Sequence, residues 1–135
     1  MTSTVIYQGD LRTTATHLQS GSKIETDAPT DNNGKGERFS PTDLVATALA
    51  SCMLTIIGIA SKAHGFDIEG TQCSVTKIMA ADPRRIGEIK IKMEFPKENE
   101  YDGKTQAIIE RAALTCPVFE SLHPEMKKTI EFLWP

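Results

Sequence analysis

The sequence predicts an α+β domain in which an antiparallel sheet curls around one long, buried helix. Three observations carry this expectation. A capped apolar stretch of about 24 residues begins after Ser40 and runs to His64. Short Thr- and Val-rich runs precede it, and longer alternating runs follow it. Two further helical patterns then lead into a last apolar strand, so all elements fit one layered domain over residues 1–135.

The N-terminal third reads as a meander. Val5-Ile6-Tyr7 is followed by Gly9-Asp10, a turn signal. Residues 12–18 alternate and are rich in Thr, Gly21-Ser22 makes a second turn, and residues 23–26 form a third short strand. Residues 28–38 hold Pro29, Asp31, Asn32, Asn33, Gly34 and Gly36, a loop composition. This is the one flexible stretch long enough to cover a site or reach a partner.

The long helix starts with its own signals. Ser40 is placed to cap it, Pro41 fits the first helical position, and Asp43 can close a capping box. Gly65 supplies the stop. At 1.5 Å per residue the helix is about 36 Å long. Leu44, Val45, Leu49, Met53, Leu54, Ile56, Ile57 and Ile59 fall on several faces, so burial on all sides is expected. A membrane span is the rival reading. Thr47, Ser51 and Thr55 within the run, and flanking strands that need something to pack on, favour a core helix.

Beyond it, residues 71–80 and 87–95 are strands joined by a turn at 81–86. Ile89, Ile91, Met93 and Phe95 share one face of the second. Residues 104–114 form a second helix. Thr115-Cys116-Pro117 breaks it and starts a short one over 118–122, and residues 129–134 make the last strand.

Net charge is −3 with both signs interspersed, which does not provide the basic stripe of a nucleic-acid footprint. The N-terminus lacks the basic and apolar regions of a secretory signal. Three well-separated cysteines make neither a disulfide framework nor a zinc site. The expected compartment is the cytoplasm, with no metal or organic cofactor.

The cysteines carry the chemistry. Cys73 lies in a strand without a charged neighbour and reads as structural. Cys116 precedes Pro117 and so caps a helix N-terminus, where unpaired N–H groups favour a thiolate. Cys52 is mid-helix, a position more often used for packing. Local sequence alone therefore makes Cys116 the more acidic of the two. To be activated, Cys52 needs a cation from elsewhere, and Arg12 and Arg38 are the two candidates.

The run Ser40-Pro41-Thr42-Asp43-Leu44-Val45-Ala46-Thr47-Ala48-Leu49-Ala50-Ser51-Cys52, with Cys116-Pro117-Val118 much later, resembles the OsmC/Ohr family of organic hydroperoxide and osmotically inducible redox proteins. The resemblance covers nearly the whole chain. It implies an intertwined homodimer with sites at the subunit interface. It further implies that Cys52 attacks a peroxide, that Cys116 resolves the sulfenic acid, and that an acid orients an Arg beside Cys52. Arg12 sits in an early strand, as the Arg of the hydroperoxide-resistance branch does, and Arg38 resembles the position used by the osmotically inducible branch. The sequence departs from the family at the acid. Thr42 stands where best-studied members carry Glu, and Asp43 either replaces it or only closes the capping box. Asp43 and Cys52 are nine residues apart, about 13.5 Å along a straight helix and on opposite faces, so an acid acting at Cys52 would come from a second subunit.

The resemblance thus implies a thiol peroxidase acting on organic hydroperoxides, recycled by a dithiol such as dihydrolipoamide or a lipoylated protein. Met53, Ile56, Phe39 and Phe119 would offer an apolar wall favouring alkyl hydroperoxides. The competing reading is a non-catalytic redox sensor or small-ligand-binding protein using the same cysteines. A Cys-His hydrolase is disfavoured, because His17, His64 and His123 lie in no recognisable hydrolase motif.

Overall fold

The computed structural model describes residues 1–135. The chain divides into two compact units, residues 1–45 and 46–135. Helix α1, Pro41–His64, runs across the division.

In the first unit, β1 (Ser3–Gly9), β2 (Arg12–His17) and β3 (Lys23–Asp27) form an antiparallel meander in that order. Gly9 pairs with Arg12, leaving a two-residue turn of Asp10 and Leu11. Both have positive φ, 53° and 61°, which matches the strand twist. Side chains alternate across the sheet, so Val5 and Tyr7 point to one face and Ile6 to the other. All three are more than 60% exposed, and Ile24 is 51% exposed. Among the strand residues only Thr26 and Asp27 are buried. The expected flexible loop is tied by its own backbone. Asn32 and Gly34 donate N–H bonds to the Pro29 carbonyl around a 3-10 turn, Thr30–Asn32, and Gly36 donates to Ala28. Gly34 is obligatory there, since a Cβ would fall 1.7 Å from the Ala28 carbonyl oxygen.

Helix α1 opens on a reciprocal capping box. The Asp43 N–H donates to Ser40 Oγ at 3.0 Å, and the Ser40 N–H donates to Asp43 Oδ2 at 3.0 Å. It closes at Gly65, whose φ is +75°, with the N–H groups of Gly65 and Phe66 both donating to the Ser61 carbonyl. By length and composition α1 is apolar enough to cross a membrane. Burial on all sides is not what the chain shows. Ala46, Leu49, Ala50, Met53 and Ile57 are buried, but Val45 and Ile59 are exposed.

In the second unit, β4 (Gln72–Ala80) pairs antiparallel with β5 (Arg85–Glu94), and β5 pairs parallel with β6 (Lys127–Leu133). Ile89, Ile91, Met93 and Phe95 lie on one face and are sealed from solvent, as their spacing predicts. They share a core with Leu49, Met53 and Ile57 of α1 and with Ile109, Ala112 and Ala113 of α2 (Gly103–Leu114). Each large aliphatic side chain buried here stabilises the fold by about 1.5–3 kcal/mol. Asp102 caps α2 by accepting the Thr105 N–H at 2.8 Å. A short helix α3, Pro117–Ser121, follows.

The α+β class stands, but the expected single antiparallel sheet curled around the helix does not. The strands form two separate three-stranded sheets, β1-β2-β3 and β4-β5-β6, and neither curls or closes. The reason lies in the connections. Helix α1 separates the third strand from the fourth. The passage from β5 to β6 carries both α2 and α3, which lets β6 return parallel to β5.

Candidate functional site

Cys52 projects from the middle of α1 and is half-buried. Cys116 is the cap residue of α3, fully buried, with Pro117 at the first helical position. Its Sγ accepts the Phe119 N–H at 3.4 Å. The two cysteines approach to 3.6 Å and are not bonded. A disulfide needs sulfurs about 2.0 Å apart, so a small closing movement would join them.

The helix-cap argument for an acidic Cys116 fails. Burial pushes this thiol up, and the Phe119 N–H offsets that only in part. A five-residue helix contributes little dipole, whereas complete removal from water penalises the charged form heavily. Burial therefore favours the protonated form of the Cys116 thiol. Cys73, on the face of β4 opposite Met93, is pushed up to about 11 by burial, in keeping with a structural residue.

Arg12 and Arg38 lie in the first unit and share a carboxylate. Glu25 stands 3.9 Å from Arg12 Nη1 and 3.7 Å from Arg38 Nε. Arg12 is also held by a two-bonded fork to Asp27, Nε to Oδ1 and Nη2 to Oδ2, each 2.8 Å. Glu37 lies 3.5 Å from Arg12 Nη2. The fork keeps Asp27 well below the usual carboxylate range against the opposing effect of burial. It also raises Arg12 further above its already high value. Asp27, Glu25 and Glu37 were not singled out from sequence. The available signal was register, since Asp27 stands directly opposite Arg12. Asp43 lies at the start of α1, where it closes the capping box. Of the expected apolar wall, Met53 is sealed in the core, Ile56 and Phe119 are half-buried, and Phe39 belongs to the first unit and is exposed.

The OsmC family, described as OsmC-like protein, matches residues 34–131, a span that includes both Cys52 and Cys116. The chain belongs to the OsmC family. Membership carries a general OsmC-type redox and stress-response role. A crystal structure of a candidate osmotic stress induced and detoxification response protein from Psychrobacter arcticus 273-4 is 58% identical to this OsmC-like chain. The alignment covers 98% of this chain and 95% of that one, with a TM-score of 0.93. More distant OsmC-like structures share the fold. An organic hydroperoxide resistance protein OsmC from Legionella pneumophila is 14% identical, with a TM-score of 0.77 over 98% of this chain and 97% of that one. A candidate organic hydroperoxide resistance protein from Vibrio cholerae, with captopril bound in one of its active sites, is 11% identical, with a TM-score of 0.74 over 98% of this chain and 91% of that one. No curated protein matches the chain.

Proposed function

We propose that this OsmC-like protein is a thiol-dependent peroxidase that reduces organic hydroperoxides. The observation that carries the reading is the 3.6 Å approach of a half-buried Cys52 to a fully buried Cys116. The exposed member of such a pair can meet a substrate, and the sealed one can only meet its neighbour. The Cys52 thiolate attacks the O–O bond of the hydroperoxide. One oxygen stays on sulfur as sulfenic acid, and the other leaves, takes a proton, and departs as alcohol. The Cys116 thiol then displaces water from that sulfenic acid to form a disulfide. A dithiol such as dihydrolipoamide, free or on a lipoylated protein, returns both thiols by exchange. The scheme calls for no metal or organic cofactor.

Arg12 or Arg38 supplies the cation that stabilises the Cys52 thiolate. Asp43 is the acid that the sequence offers to orient it, but its bond to the Ser40 N–H supports the capping role. The working form is a homodimer in the cytoplasm. The first sheet supports this, because apolar side chains stand exposed on both of its faces. Exposed apolar patches of this kind mark interaction surfaces. Helix α1, covered on one side only, supports it too.

The test is turnover of tert-butyl hydroperoxide with dihydrolipoamide. Sustained consumption is expected. A single equivalent consumed, with no further turnover, would instead make the protein a redox sensor.

A further inference from the structure

We propose that the groove between the end of α1 and one face of α2 binds a small amphipathic carboxylate, at a site separate from the cysteine pair. The inference does not depend on the peroxidase reading. Two helix faces build the groove. On α2, Lys104, Ala107, Ile108 and Arg111 recur at helical spacing and form one stripe. On α1, Ala60 and His64 lie one turn apart. The Tyr101 hydroxyl, just before α2, donates to the Asp67 carbonyl, just after α1, at 2.6 Å. This bond sets the start of α2 beside the end of α1, within the second unit. Between the two stripes lies a cavity of about 470 Å³. Ala60, Ala107 and Ala112 leave it open, because longer side chains at these positions would fill it.

The lining combines an apolar floor with a basic rim. Half-buried Ala60 and Ile108 and buried Ala112 supply the floor. Lys104, Arg111 and His64 stand exposed around it, and no carboxylate lines it. In a chain of net charge −3 this is a local reversal of sign. The acids nearest in sequence are engaged or turned away. Asp102 accepts the Thr105 N–H at 2.8 Å, and Glu110 lies about 100° around α2 from Arg111. Apolar surface beside cations recognises an anion that carries a hydrocarbon tail. The tail gains by leaving water, and a planar guanidinium takes a carboxylate through two parallel N–H bonds. Size favours a small molecule over a protein partner. Ligand cavities span roughly 300–1,000 Å³, whereas a stable protein contact needs about 800 Å² from each partner. Lys104 and Arg111 are about 10.5 Å apart along the helix axis, which leaves room for a tail of medium length between them.

The test is isothermal titration of the full-length protein with octanoate. Saturable binding at one site per chain is expected. Butanoate, with its shorter tail, should bind at least about tenfold more weakly, because each methylene buried adds to affinity. Octyltrimethylammonium, with the same tail and the opposite charge, should not saturate the site. Arg111→Gln and Lys104→Gln should each weaken octanoate by about fivefold. Ala107→Phe fills the groove from an exposed helix position and should abolish binding. The two glutamine variants carry the test if Ala107→Phe fails to fold. Cys52→Ser should bind octanoate as the unaltered protein does, since neither cysteine lines the groove. Absence of octanoate binding would overturn the proposal. Binding that ignores the groove variants, or that is lost in Cys52→Ser, would place the ligand elsewhere and overturn it as well. Equal binding of octyltrimethylammonium would reduce the effect to non-specific apolar adsorption, with the same consequence. A groove variant that changes the sedimenting mass would show that a second copy of the chain covers this face, and would also overturn the proposal.

Discussion

Cys52 and Cys116 approach to 3.6 Å from two separate elements, one from the middle of α1 and the other from the cap of α3. Their environments differ in the direction that a two-thiol cycle requires. Cys52 is half-buried, whereas Cys116 is sealed and burial pushes its thiol up.

One equivalent of alkyl hydroperoxide should therefore close a Cys52–Cys116 disulfide and leave Cys73 free. Peptide mapping under non-reducing conditions checks this. A disulfide that includes Cys73 would break the assignment.

Cys73 should be dispensable and slow to react. Because burial raises its pKa to about 11, its thiolate is scarce below that pH, and its alkylation rate should climb only as pH approaches 11. Cys73→Ser should keep its turnover. Faster labelling of Cys73 than of Cys52 at pH 7 would contradict this account.

The Arg12–Asp27 pair predicts an acid-sensitive contribution to stability. Asp27 has a depressed folded-state pKa, so its contribution is fully present above the ordinary carboxylate value, near 3.8. It is lost as pH falls through the lower folded value. Arg12 is shifted the other way, and its proton is lost only in strong base. Urea unfolding between pH 6 and pH 2 should show a fall in midpoint at the acid end (roughly pH 4 and below) that is smaller in Asp27→Asn. Equal acid sensitivity in both proteins would remove the pair from the explanation.

The capping box gives a purely structural prediction. Ser40→Ala removes the oxygen that accepts the Asp43 N–H and should cost about 0.5–2 kcal/mol. Chemical denaturation measures this directly, and a neutral result would mean that the start of α1 frays without cost.

Much of this was legible in the sequence. The capping box, the Gly65 stop and the Ile89–Ile91–Met93 face follow from local rules that tertiary structure did not override. The sheet arrangement was not legible, because alternation says which face of a strand is apolar but not which strand lies beside it. The parallel return of β6 depends on the α2–α3 passage, which no single strand encodes. The Cys116 environment is not legible in the sequence for a similar reason. A helix cap is visible in Cys116-Pro117, but the burial that overrides it comes from residues distant in sequence. Asp27 escaped notice because a short polar residue before a loop looks like turn chemistry until its register with Arg12 is known.

The homodimer is tested by sedimentation at micromolar concentration, which should give one species of twice the 14.8 kDa chain mass. Ile6→Lys, on an exposed face of β1, should weaken the assembly and make thermal stability more dependent on protein concentration. A fully active monomer would contradict the proposed assembly.

The division of labour between the two thiols is the central claim, and trapping the oxidised sulfur tests it most directly. Cys116→Ser should be treated with one equivalent of tert-butyl hydroperoxide and then with dimedone, and the adduct located by mass spectrometry. The account predicts a single adduct on Cys52. It also predicts that Cys52→Ser, treated in the same way, consumes no hydroperoxide. An adduct on Cys116 in the Cys52→Ser protein, formed as fast as the one on Cys52, would show that the buried thiol is the peroxide-reactive one and would contradict the account.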